Sequence, residues 1–167
     1  MFKKIAALAT AAVLCAGLMA GCGASSTTAD TSYSAENPLV LTLAHGLSEA
    51  HTVHIAMTQF AEEVNEKTDG RVQVKIFPNG QLGSENENLE QLQAGVIAMT
   101  KVSAPGLATY NDAFNTFGLP YIFNDTEDFY HVMDSQQMQD FFLSTGDDGF
   151  VTLTYYTSGA RSFYTKD

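Results

Sequence analysis

Four side chains able to meet a ligand stand shortly after four apolar runs. His45 follows Leu39–Ala44, Asn79 follows Arg71–Phe77, Ser103 follows Ile97–Val102, and Arg161 comes soon after Phe150–Tyr156. An arginine fork suits a carboxylate because two parallel N–H groups meet two oxygens. Gly159 and the hydroxyls of Thr157, Ser158 and Ser162 surround Arg161 in sequence. Taken alone, an arginine is ordinarily a solvated surface residue and a histidine at a strand end a satisfied structural one. His51 and His54, at i and i+3 with His45 nearby, have a spacing permissive for zinc. No thiolate or clearly placed carboxylate joins them, so no metal site is assigned. No G-x-S-x-G elbow is present, and Ser, His and Asp fall into no recognisable hydrolytic arrangement. The chain does not read as an enzyme, and nothing in it calls for a cofactor.

The elements that position these residues are clearest around Arg71–Glu90. Val72, Val74 and Ile76 alternate with Arg71, Gln73 and Lys75, the period of a strand with one buried face. Pro78 ends the strand because it lacks the N–H a ladder needs. Asn79 and Gly80 tolerate positive φ, so the chain can reverse there. Ser84 and Glu87 then fit a capping box for a helix running through Gln93. Upstream, Leu39–Ala44 is apolar with little alternation, as in a strand buried on both faces. Ser48 is placed to cap a helix from about residue 49 to 67, with Val53, Ala56, Met57, Phe60, Ala61 and Val64 forming one apolar stripe. Gly70 suits the left-handed position past its end.

Strand, helix, strand, helix, strand at these lengths makes two βαβ units and a mainly parallel sheet in an α/β fold. Ligands of such sheets sit beyond the carboxyl ends of the strands. His45, Asn79 and Ser103 are therefore expected along one edge. The aromatic stretch from Phe114 to Phe123 reads chiefly as core. Helices are expected from Asp125 or Thr126 and over Ser135–Leu143, with a turn at Asp147–Gly149 and a strand over Phe150–Tyr156.

Residues 1–22 read as a processing segment. Lys3 and Lys4 precede an uncharged apolar run too short to span a bilayer comfortably. Leu18–Cys22 resembles a bacterial lipobox, which would make Cys22 the acylated N-terminus and leave no free thiol. Residues 23–38 are small and polar, a tether, and the folded body begins near Leu39. Without Lys3 and Lys4, 6 basic residues face 19 acidic ones, a net charge of −13. Nucleic acid and anionic membrane surfaces are poor partners on that balance.

Together, LTLAHGLSEAH (41–51), FAEEVNEKTDGRVQVKIFPNGQLGSE (60–85), FGLPYIF (117–123) and YYTSGARSF (155–163) resemble the solute-binding proteins of TRAP (tripartite ATP-independent periplasmic) transporters, of the dicarboxylate-receptor (DctP) family. The resemblance implies a periplasmic-binding-protein-like lobe over 39–155, with 156–167 starting the crossover to a second lobe. It implies capture of an organic carboxylate outside the cytoplasm and its delivery to a membrane permease, with the lipobox-like Leu18–Cys22 pointing to a lipid-anchored position. A ligand-sensing lipoprotein feeding a signalling partner is the alternative. By the same resemblance, Arg161 meets the ligand carboxylate, His45 and Ser103 line the first lobe's side of the cleft, and Tyr121 lies near the pocket. Family members continue for roughly as many residues again, so the chain reads as the front half of a receptor, its second lobe largely missing and its affinity low.

Overall fold

A computed structural model describes residues 32–157, with 159 and 166. The processing segment with Cys22, and Arg161 near the other end, lie outside these residues. Three strands form a parallel sheet: β1 (Leu39–Ala44), β2 (Val72–Phe77) and β3 (Met99–Thr100), in the order β2-β1-β3. β1 runs in register with β2 from Leu39↔Val72 to Ala44↔Phe77, and meets β3 only at Leu43↔Met99 and Ala44↔Thr100. The third strand is thus shorter than the apolar run Ile97–Val102 suggests. β1 is buried only at its carboxyl end, where Leu43 and Ala44 are enclosed, while Val40 is half-exposed.

Helix α1 (Thr52–Lys67) joins β1 to β2. It starts later than Ser48 predicts because His51 is its cap, the ring Nδ1 accepting the Val53 N–H at 3.1 Å. Val53 and Met57 from its apolar stripe pack with Leu43 against Val74, Ile76 and Met99. Asp69 and Gly70 close the helix in the left-handed region (φ +50° and +77°). Ala35 lies 3.2 Å from the position a Gly70 Cβ would take. The described part of the expected tether is therefore a turn, Ser34 to Asn37, laid against the folded body.

Asn79 and Gly80 both take positive φ (+58° and +69°), reversing the chain after buried Pro78. Helix α2 (Glu85–Gln93) opens with the expected capping box between Ser84 and Glu87. Its Leu89 enters a second core with Leu107, Phe114 and Phe150. Short helix α3 (Ala104–Leu107) and a 3-10 helix over Asp112–Gly118 follow β3. Phe114 stacks at a tilt on Phe141 and Phe117, with centroids 5.1 and 6.0 Å apart.

Helices α4 (Thr126–Met133) and α5 (Gln136–Ser144) begin at Asp125 and Ser135, whose side chains cap them. The strand expected over Phe150–Tyr156 is absent. Backbone in that stretch finds no strand partner among the described residues, and a strand exists only through its ladder. It is held instead by side chains. Thr145 Oγ1 accepts the Thr152 N–H at 2.9 Å, and the Tyr155 hydroxyl donates to Asp134 at 2.7 Å.

Candidate functional site

β1 lies between its neighbours, the order in which doubly wound sheets open a crevice at the carboxyl ends of β1 and β3. The chain is tightly laced there. His45 donates its N–H to Phe77 O at 3.0 Å and accepts Gly80 N–H at 3.0 Å, while Asn79 N–H reaches Leu47 O at 2.9 Å. The loops after β1 and β2 are thereby one unit. Lys101 N–H bonds Ala44 O at 3.1 Å, bringing the exit of β3 to the same edge.

The His45 side chain is fully buried. Leu47 N–H donates to its Nδ1 at 3.1 Å, so that nitrogen carries no proton. Nε2 therefore holds the proton and donates to His54 Nδ1 at 3.0 Å. His54 is left with its own proton on Nε2, 3.5 Å from Thr58 Oγ1, and the Thr58 hydroxyl donates to the His54 carbonyl at 3.1 Å. One backbone N–H thus decides the tautomer of two rings. A second proton on either ring would set two donors face to face. Burial first, then the proximity of His54, Lys101 and His51, keeps the His45 pKa below its ordinary value. Both His45 nitrogens are used within the protein, and His51 serves as a helix cap. Among the described residues, no group of three or more His, Cys, Asp or Glu is placed to hold a metal.

A second polar cluster closes the exit of β3. Glu85, the first residue of α2, receives three donors on its carboxylate. Ser103 Oγ–H lies 2.6 Å from Oε2, Ser103 N–H 3.1 Å from the same oxygen, and Lys101 Nζ 3.2 Å from Oε1. Partial burial pushes the carboxyl pKa up, but these donors outweigh it and hold Glu85 below its ordinary value. Lys101 and Glu85 are about three-quarters and two-thirds covered, respectively. Ser103 itself is exposed.

The edge therefore brings together His45, Asn79 and Ser103, as their places after strands imply. Tyr121 is not among them. It sits in the turn after the 3-10 helix at φ +60° and is 90% exposed. Lys101 and Glu85 complete the edge and were not singled out by motif, while His54, noted in sequence only for a spacing permissive for zinc, is the partner of the His45 ring. Lys101 did leave a trace, as the one charge inside the apolar run Ile97–Val102. Glu85 reads in sequence only as a carboxylate favourable to a helix start.

The family described as bacterial extracellular solute-binding protein, family 7, matches residues 43–167. The protein YiiZ of Salmonella typhimurium is 38% identical over 134 residues, covering 80% of this chain and 41% of its own length. A TRAP periplasmic solute-binding protein of Anaerococcus prevotii, solved with bound D-glucuronate, superposes with a TM-score of 0.71 at 34% identity, over 77% of this chain and 42% of that one. Another, of Xanthobacter autotrophicus with bound β-D-galacturonate, gives 0.69 at 32% identity, over 74% and 42%. The chain spans about two-fifths of the length of these relatives. With a parallel α/β sheet that superposes on theirs and a family match over most of its residues, the chain belongs to the DctP family of bacterial extracellular solute-binding proteins.

Proposed function

We propose that this chain forms the first lobe of an extracytoplasmic TRAP receptor that captures a sugar acid or another small organic carboxylate and passes it to membrane permease subunits. The carrying observation is the polar carboxyl edge of a β2-β1-β3 sheet that aligns with two uronate-bound receptors. Family membership is of a binding and transport kind, not an enzymatic one. Lys101 and Ser103 stand on the first lobe's wall, and His45 stiffens that wall from within. Arg161 is the carboxylate contact, and Tyr121, exposed on its turn, is available to a ligand or to the opposing lobe. Residues 39–155 are assigned to the lobe, and 156–167 to the start of the crossover that the family resemblance implies. Acylation at Cys22 holds the receptor at the membrane through a tether that ends by Tyr33. Mass spectrometry of the N-terminal peptide checks the anchor: a start at diacylated Cys22 is expected, and an unmodified start or another cleavage site rejects it.

Affinity supplies the functional test. A single ion pair in water is worth about 0–1 kcal/mol, whereas micromolar binding needs about 8 kcal/mol. Enclosure by a second lobe is required for the difference. Residues 23–167 are expected to show no micromolar binding of D-glucuronate by calorimetry. A version carrying the remaining length of its relatives is expected to bind, and to lose binding on Arg161→Ala with little recovery in Arg161→Lys, because the fork is gone. An extended protein indifferent to D-glucuronate, D-galacturonate and C4 dicarboxylates alike would refute the receptor reading.

A further inference from the structure

We infer that Glu85 fixes the hydrogen-bond polarity of Ser103, so that the wall at the exit of β3 reads a ligand hydroxyl and favours sugar acids over plain dicarboxylates. This rests on the receptor reading above and narrows its ligand class. The geometry leaves Ser103 one arrangement. An ionised carboxylate only accepts, so at 2.6 Å the Ser103 hydroxyl must be the donor to Glu85 Oε2. The backbone N–H of Ser103 is spent on the same oxygen. What the exposed hydroxyl still offers is lone pairs. A ligand carboxylate also offers only lone pairs, whereas a sugar hydroxyl can donate into them. Lys101 reinforces the bias, since its ammonium is shared with Glu85 Oε1 and its charge toward a ligand anion is partly cancelled. Gly106 borders the cluster: a Cβ there would stand at ordinary contact distance, 3.6 Å from Ser103 Oγ and 3.7 Å from Glu85 Oε2.

Glu85 is thus a positioning residue, acting through Ser103 and Lys101. Its amide variant, Glu85→Gln, keeps the shape but brings its own N–H donors. The fixed N–H of Ser103 keeps the amide oxygen in the place of Oε2, so the amide NH2 meets the Lys101 ammonium donor to donor and Lys101 is freed, its charge no longer cancelled. Selectivity is expected to move toward dicarboxylates. Ser103→Ala removes the acceptor but keeps Lys101 on Glu85, so glucuronate preference falls without a gain for succinate. Ser103→Thr retains the hydroxyl and the preference.

The test uses the full chain, with amide shifts of Ser103 and Gly106 followed by NMR while D-glucuronate or succinate is raised into the high-millimolar range. The unaltered chain is expected to favour glucuronate about three- to ten-fold, the scale of one hydrogen bond. In Glu85→Gln that ratio is expected to fall to near one with succinate binding strengthened, and in Ser103→Thr to persist. A ratio unchanged in Glu85→Gln, or an unaltered chain that favours succinate, overturns the inference while leaving the receptor reading intact. A response to neither ligand overturns the inference, while the receptor reading is judged on the extended protein by calorimetry. Folding of each variant is read from the same spectra. A collapsed Glu85→Gln spectrum passes the decision to Ser103→Ala and Ser103→Thr, which must then differ in preference for the inference to hold.

Discussion

At the scale of single residues, the buried pair His45–His54 is the most sensitive point of the edge. Both rings must be neutral for the donor sequence from Leu47 N–H to Thr58 to exist. The His45 pKa is lower in the folded chain than its ordinary 6.5, so the unfolded chain binds more protons as the pH falls below that value. Stability from this residue is present above the ordinary value and is lost as pH falls toward the depressed one. Urea unfolding at a series of pH values is expected to show this loss. His54→Ala leaves the Nε2–H of His45 without its acceptor, at a cost of about 1–3 kcal/mol near neutral pH. The same variant removes the neighbouring ring that disfavours charge on His45, so its acid sensitivity is expected to be shallower. An unchanged pH slope in His54→Ala would show that burial, Lys101 and His51 set the titration without it.

At the scale of elements, the connection from β2 to α2 carries most of the local order. Ser84 Oγ faces the Glu87 N–H, and Glu87 Oε2 accepts both the N–H and the hydroxyl of Ser84 at 2.7 and 2.8 Å. Ser84→Ala is expected to destabilise by about 1 kcal/mol, the usual loss of an N-cap. Gly83 is held more strictly. Its φ is +119°, and an added Cβ would meet Glu87 Oε2 at 2.9 Å, so Gly83→Ala strains the backbone and displaces the cap together. Gly83→Ala is expected to cost more than Ser84→Ala in denaturant unfolding, and the double variant less than their sum, because both act on Glu87. Equal or additive costs would mean that the two act separately. The contrast with Phe150–Tyr156 is instructive. That stretch has β-branched and aromatic residues in plenty, yet it makes no ladder among the described residues. Strand propensity needs a neighbour, whereas a capping box is complete within four residues.

At the scale of the whole molecule, apolar surface lies open along the unladdered stretch, at the end of α5 and in the turn before α4. Leu153, Leu143 and Leu119 are 65%, 65% and 57% exposed, and Val151 is half-exposed. Exposed apolar side chains beside backbone without a ladder invite association. The chain is expected to bind a hydrophobic dye and to self-associate in sedimentation; a dye-free, dispersed monomer would show that this surface is tolerated in water. Legibility in the sequence divided along the same physical line as stability. Alternation in Val72–Ile76, the reversal at Asn79-Gly80, the capping box and the caps at Asp125 and Ser135 are interactions among near neighbours, so the sequence alone determined those elements and the order β-α-β-α-β. Family-wide resemblance did the same for the DctP assignment, because its motifs are local strings. The partner of His45, the clamp of Glu85 on Lys101 and Ser103, and His51 as a cap in place of Ser48 were decided only in three dimensions. Glu85 and Ser103 are 18 residues apart, and only a parallel sheet that sends β3 to the far side of β1 brings their oxygens within 2.6 Å.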